Sequence, residues 1–155
     1  MVRKKNSAPI PENELKVEMP SISVNEGAAR SIVSSFVAQL NPTIEELADI
    51  KCSVSEAVTN AIVHGYANAR GTISVSVKLY PQRLVKIEIK DKGIGIADVK
   101  TAMTPLFTTD TSGERSGMGF AVMESFSDTL RVRSAVGKGT CVIMTKKLSN
   151  IVRVT

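Results

Sequence analysis

The sequence predicts an α+β fold in two layers, an antiparallel or mixed sheet covered on one face by helices. Apolar residues alternate with polar ones over Leu15–Met19, Ile73–Leu79 and Val85–Ile89, and again from Leu130 and from Cys141. That two-residue period marks strands with one buried face. Two stretches after the first strand, and one after the third, carry apolar residues at three- and four-residue spacing instead. The order is therefore strand, two helices, two strands, loop and helix, two strands. Helices and hairpins are segregated and do not alternate, which sets the class.

Residues 1–13 hold Arg3, Lys4, Lys5 and two prolines with no apolar period, and are expected to be a flexible lead-in. Leu15, Val17 and Met19 make the first strand, and Pro20 stops it. Ser23 and Glu26 have capping-box spacing ahead of Ala29, Ile32, Val33, Phe36, Val37 and Leu40, so a first helix runs to about Leu40. Asn41-Pro42 breaks it. Thr43 with Glu46 repeats the box, and a second helix continues to His64 with Gly65 as its stop. From Gly71 come the two strands joined through Pro81. Residues 97–116 include Pro105, Gly113 and a cluster of Thr and Ser without a sustained period, which predicts a long loop. A short third helix after Gly119 would bury Phe120, Met123 and Phe126. Leu130 and Val132 then lead through Val136-Gly137-Lys138-Gly139 into Cys141 and Ile143 as a second hairpin.

At 155 residues the chain is the size of one compact domain, expected over 14–149 with 150–155 as a tail. Its 43% hydrophobic and 23% charged content is that of a globular protein. No apolar run approaches the roughly 20 residues that cross a bilayer, so a cytoplasmic protein without membrane contact is expected. Cys52 and Cys141 lack neighbours at metal-ligand spacing and are expected to be small buried fillers. The net charge of +5 invites a nucleic-acid reading. Aromatic residues for base stacking are only 4%, and no helix carries a continuous basic face, so direct nucleic-acid binding is not expected.

Asp91 is the most unusual polar residue. The alternation Val85, Ile87, Ile89 places it next on the apolar face of its strand. A carboxylate aimed at a core needs donors, and either an amino group on a flat heterocycle or a backbone turn would serve. Gly93 and Gly95 follow in Lys92-Gly93-Ile94-Gly95-Ile96 and let backbone approach a ligand closely. On the second helix Glu56 projects nearly opposite the apolar stripe of Leu47, Ile50, Val54, Val58 and Ala61, with Asn60 four residues on. The pair can address one object, although a solvated polar face reads the same way. Gly117-Met118-Gly119 opens the third helix, where free N–H groups favour phosphate. Arg115 and Lys92 could neutralise phosphate charge. His64, at a helix end, fits carbonyl capping better than catalysis. Walker A and Rossmann spacings are both absent.

Taken together these pieces resemble a known set. Glu56-Ala57-Val58-Thr59-Asn60 resembles the N box, Asp91-Lys92-Gly93-Ile94-Gly95 the G1 box, Gly117-Met118-Gly119 the G2 box and Gly139-Thr140 the last segment of the gyrase, chaperone, histidine-kinase and mismatch-repair (GHKL) ATP-binding superfamily. Residues 54–66, Pro105-Leu106-Phe107-Thr108-Thr109 and Glu114-Arg115-Ser116-Gly117-Met118-Gly119-Phe120 are similar to the anti-sigma F factors of spore-forming bacteria. The similarity covers roughly residues 14–149.

That resemblance implies a Bergerat-type two-layer sandwich with a mixed, mostly antiparallel sheet. It also implies ATP and Mg²⁺ as cofactors, phosphorylation of a serine on an anti-anti-sigma protein, sequestration of a sporulation sigma factor, and a homodimer. Carried onto matching positions, Asn60 is the Mg²⁺ ligand, Glu56 the general base and Asp91 the adenine contact that prefers ATP to GTP. Gly93, Gly95, Gly117, Met118, Gly119, Phe120 and Thr140 complete the nucleotide site. Thr108 and Thr109, as nucleotide-binding residues, and Arg115, as a second catalytic residue beside Glu56, belong to a lid over the phosphates at 103–116. The exposed side of the first helix, with Glu26 and Arg30, is expected to contact partners. A stress-type switch kinase with another sigma partner, or a non-catalytic ATP-binding adaptor, would share these motifs.

Overall fold

The computed structural model describes residues 8–104 and 118–150. Five strands, β1 (Asn13–Pro20), β2 (Thr72–Tyr80), β3 (Leu84–Lys90), β4 (Thr129–Ala135) and β5 (Gly139–Lys147), form one sheet in the spatial order β1-β2-β3-β5-β4. Every neighbouring pair is antiparallel, so the sheet is antiparallel throughout. The helices are α1 (Val24–Val37), α2 (Ile44–Asn60), a single turn α3 (Val99–Ala102) and α4 (Gly119–Phe126). α1 ends in a 3-10 turn, Ala38–Leu40, and α2 runs on into a wider π-type turn, Ala61–Gly65.

The register aligns apolar residues in rows across the strands. Val17, Val75, Ile89, Val142 and Val132 lie on one line, and Leu15, Val77, Ile87, Met144 and Leu130 on the next. Against this face pack Ala29, Val33 and Val37 of α1, Ile50, Val54 and Val58 of α2, and Met123 of α4, all buried. Each fully buried valine or isoleucine contributes about 1.5–3 kcal/mol, so these rows hold the layers together. One step further along the same face the character changes. Asp91 just past β3, Thr140 on β5 and Ser134 on β4 follow the apolar rows, with Ser134 paired to Thr140 and the Asp91 N–H donating to the Thr140 carbonyl at 2.9 Å.

The second capping box forms as expected. The Glu46 N–H donates to Thr43 Oγ1 at 3.1 Å and the Thr43 N–H to Glu46 Oε2 at 2.9 Å. The first does not form, because Ser23 already has helical dihedrals (φ −55°, ψ −37°) where a cap needs extended ones, and the Glu26 N–H goes to the Ser23 carbonyl. Gly65 does not stop the second helix abruptly: the Tyr66 N–H reaches back five residues to the Ala61 carbonyl. On β5 the inner face carries Val142 and Met144, not Cys141 and Ile143, because pairing with Ile89 and Ile87 sets the parity. Cys52 is exposed and Cys141 half-buried, so neither is a buried filler. The expected loop after residue 97 contains α3, capped by Asp98, whose Oδ1 accepts from the Thr101 N–H at 3.1 Å. The rest of that loop, 105–116, lies outside the described residues.

Candidate functional site

The polar end of the sheet's inner face is built around Asp91, which is 5% exposed. Oδ1 accepts from the Gly93 N–H at 2.9 Å and from the Thr140 N–H at 3.3 Å. Part of the carboxylate therefore closes a backbone turn, one of the two partners its position demanded. Among the described residues nothing donates to Oδ2. Burial pushes the carboxyl up from its ordinary range, and the two N–H groups only partly offset this.

Three close approaches confine that carboxylate. A Cβ on Gly65 would lie 2.9 Å from Asp91 Cγ and 3.0 Å from each carboxylate oxygen. The end of the second helix thus packs directly on the acid. Gly65 also holds the loop after Asp91, its carbonyl accepting from the Ile94 N–H at 2.8 Å and lying where a Gly93 Cβ would be. On the third side Gly139, at φ +83°, brings β5 under the Asp91 backbone, where a Cβ would meet the Asp91 carbonyl at 2.1 Å. A side chain there is excluded by both conformation and space.

Two hydroxyls brace the same corner. Tyr66 Oη donates to the Thr72 carbonyl at 2.6 Å and accepts from the Lys92 N–H at 2.8 Å, with its ring across Gly71. Ser134 Oγ accepts from the Ile96 N–H at 2.7 Å and donates to the Gly139 carbonyl at 2.9 Å, tying the Gly93–Gly95 loop to the β4–β5 turn. Gly95 lies over that turn, where a Cβ would be 2.0 Å from the Ala135 carbonyl.

A second corner lies further back along α2. Glu56 and Asn60 are half-buried, not a solvated face, because the start of α4 packs over them. A Cβ on Gly119 would come 3.0 Å from Glu56 Oε2 and 3.4 Å from the Asn60 amide atoms. Met118 is the N-cap residue of α4 and contributes no side-chain cap. Phe120 is half-buried in the first turn, packed against the core. Chemically, this corner places a carboxylate and an amide beside a helix N-terminus, suited to an anion and a cation together.

Other predicted residues stand apart from these corners. Arg30 is exposed, but its guanidinium lies 3.6 Å from Glu26 and 3.5 Å from Ser55 Oγ, so it leans toward α2. The Glu26 side chain is only 24% exposed, which corrects its placement on an open surface. Lys92 is exposed, and His64 lies half-buried in the wide turn after α2. Thr108, Thr109, Arg115 and Gly117 lie outside the described residues.

Residues 21–146 match the model of the histidine kinase-like ATPase domain. The chain is also 50% identical to the anti-sigma F factor of Clostridium novyi (strain NT) over 140 residues, 90% of this chain and 97% of that protein. The chain belongs to the histidine kinase-like ATPase family, in its anti-sigma F factor branch. Another member of that branch, from Thermoanaerobacter sp. (strain X514), is 51% identical over 138 residues, 89% of this chain and 96% of its own. In fold, this histidine kinase-like domain is similar to the solved RsbU and RsbW domains of a Mycobacterium tuberculosis protein. The TM-score is 0.66 at 23% identity, covering 94% of this chain and 35% of that one, so the chain spans about a third of the solved protein. The mycobacterial sensor histidine kinase MprB is similar at TM-score 0.55 and 15% identity, over 90% of this chain and 100% of that one. The two-layer α+β architecture expected from the sequence is thus the architecture of the family.

Proposed function

We propose that this chain is an anti-sigma factor and ATP-dependent protein serine kinase, which binds a sporulation sigma factor and phosphorylates a serine of the opposing anti-anti-sigma protein. The observation that carries this reading is the course of α2 and its final turn. One continuous helical segment sets Glu56 and Asn60 under the start of α4 and Gly65 against Asp91. Nine residues separate these points, about 13 Å along a helix axis, the reach of an extended nucleoside triphosphate.

Asp91 Oδ2 suits the exocyclic amino group of adenine, whereas guanine would present a carbonyl oxygen there, so ATP is preferred to GTP. Gly93, Gly95 and Thr140 line the same corner. The first N–H groups of α4, at Met118, Gly119 and Phe120, suit phosphate. Asn60 would hold Mg²⁺ through its amide oxygen. Among the described residues no group of three or more acid, histidine or cysteine side chains could hold a metal. A hard cation there would take its other ligands from phosphate and water. When bound, Mg²⁺ neutralises charge on the phosphates. Glu56 accepts the proton of the attacking serine hydroxyl as the new O–P bond forms and the bond from the γ-phosphorus to the β–γ bridging oxygen breaks, with ADP as the leaving group. Thr108, Thr109, Arg115 and Gly117 are assigned to the phosphates by the resemblance alone.

The reading further takes 14–149 as one catalytic domain flanked by 1–13 and 150–155, working in the cytoplasm as a homodimer. No described helix is long and apolar enough to cross a membrane. Glu26 and Arg30 are assigned to partner contact.

The test is incubation with labelled ATP, Mg²⁺ and an anti-anti-sigma protein, beside a pull-down of sigma factors. Label should appear on serine, and Glu56→Gln should slow transfer at least about 100-fold with ATP binding retained. ATP binding without transfer by the wild type would make the chain a non-catalytic adaptor. Retention of a stress sigma factor in place of the sporulation one would replace the partner assignment. Unchanged binding of both partners by Arg30→Ala would remove the α1 surface from the reading.

A further inference from the structure

The hydroxyl of Ser134 is more constrained than a structural brace requires. A serine hydroxyl has one proton to give and two lone pairs to receive with. Ser134 spends one lone pair on the Ile96 N–H at 2.7 Å and its proton on the buried Gly139 carbonyl at 2.9 Å. Its third neighbour is Thr140 Oγ1 at 2.8 Å, a separation that needs a proton between the two oxygens. Since the Ser134 proton is already placed, that proton comes from Thr140. Thr140 Oγ1 then has only lone pairs to show to anything else. Thr140 lies beside Asp91, to which its N–H donates, and both residues follow the apolar rows on the helix-covered face of the sheet.

We propose that Ser134 is a positioning and specificity-determining residue, which fixes Thr140 Oγ1 as a hydrogen-bond acceptor. The corner then shows a bound base two acceptors, Asp91 Oδ2 and Thr140 Oγ1. This rests on the reading of Asp91 as the base contact and deepens it. Two acceptors side by side favour a purine with an amino group at the 6-position and oppose one with a carbonyl oxygen there. Asp91 alone could take up a proton and donate it to a 6-oxo base. Thr140 could turn its hydroxyl to donate to it. Ser134 blocks the second escape by holding that hydroxyl's proton elsewhere.

The experiment measures ATP and ITP binding by calorimetric titration; ITP has a carbonyl oxygen in place of the 6-amino group and with it a proton on N1, and both differences are common to every variant compared. Wild type should favour ATP. Ser134→Ala, which releases Thr140, should reduce the ATP/ITP preference about five- to tenfold, chiefly by improving ITP, as expected for one hydrogen bond gained or lost. Ser134→Thr, which keeps the hydroxyl on a strand position, should restore the preference, and a merely structural role would not tie it to the hydroxyl. In a Thr140→Val background Ser134→Ala should change nothing further. If Ser134→Ala fails to fold, Ser134→Cys, a near-isostere with a weak donor, carries the same expectation. Should Ser134→Ala keep the wild-type preference while Asp91→Asn abolishes it, the Ser134 role is overturned and the Asp91 reading stands. A wild type indifferent to ATP and ITP overturns both.

Discussion

Replacing Gly65 by alanine should cost this protein its nucleotide while leaving it folded. The added Cβ would sit 2.9 Å from Asp91 Cγ and 3.0 Å from both carboxylate oxygens. Carbon contacts relax at about 3.5–4.0 Å, so the carboxylate must retreat by about 0.5–1 Å. It has little freedom to do so. Asp91 is a short side chain, and its Oδ1 is held by the Gly93 N–H at 2.9 Å and by the Thr140 N–H at an already long 3.3 Å. Retreat breaks the longer bond first. A hydrogen bond to a charged group is worth about 1.5–3 kcal/mol, and alanine regains up to about 1 kcal/mol of helix propensity. The net cost is about 0.5–3 kcal/mol, or roughly 1–12 °C in Tm for a domain of this size.

Nucleotide affinity should fall as well, because the carboxylate that moves carries Oδ2, the oxygen proposed to read the base. Calorimetric titration of ATP, at a temperature where both proteins are folded, should show Kd raised at least about tenfold, equivalent to 1.4 kcal/mol. Asp91→Asn separates the two effects. It removes a charge that burial disfavours, so it should bind ATP poorly with Tm unchanged or raised. A Gly65→Ala protein with raised Tm and a Kd within about twofold of wild type would show that Gly65 does not confine the carboxylate, refuting this packing argument.

Two further expectations concern pH and the helix cap. Burial raises the Asp91 pKa above its unfolded value, so between the two values the native state holds the extra proton and stability falls as pH rises through that window. ATP affinity should rise through the same window, since only the ionised group accepts freely, and Asp91→Asn should flatten this dependence in a titration series from about pH 4 upward. Thr43→Ala removes the working capping box of α2 and should cost about 1 kcal/mol, or some 2–4 °C in Tm by calorimetry. Its ATP affinity should be unchanged, and a shifted Kd would mean that the cap influences the distant site.

What the sequence made legible was mostly what strand and helix periods encode. Asp91 could be placed on the inner face because three apolar residues on one strand fix the parity of the fourth position. Glu56 and Asn60 were legible as i, i+4 neighbours for the same local reason. Parity was misread only on β5, where a turn beginning at Val136 leaves the phase open until Val142 is paired with Ile89. The non-local contacts had no sequence signal. That Gly65 packs on Asp91, or Gly119 over Glu56, depends on how elements cross, and a glycine at a crossing looks like any loop glycine. Ser134 is the exception. Once Gly137 is taken as the hairpin centre, Ser134 and Thr140 stand equally far from it and must face each other.

The wide turn at the end of α2 explains why one helix can serve both corners. An α-helix advances each residue by about 100°, so a strictly regular continuation would fix Gly65 at one angle relative to Glu56 and Asn60. Over Ala61–Gly65 the turn widens and Tyr66 bonds back five residues, which accommodates one additional residue and resets that angle. The Gly65 carbonyl now meets the Ile94 N–H, and the side of Gly65 that would bear a Cβ faces the Asp91 carboxylate. Such turns are rare, occur mostly as single turns within α-helices and recur at functional sites. Here the requirement is visible in the contacts themselves. The apolar stripe of α2 must face the sheet to bury Val54 and Val58, and the same segment must end against a carboxylate one row beyond the last apolar strand residues. The widened turn meets both demands, and so places a buried acid and a helix-borne carboxylate on one ligand-sized span.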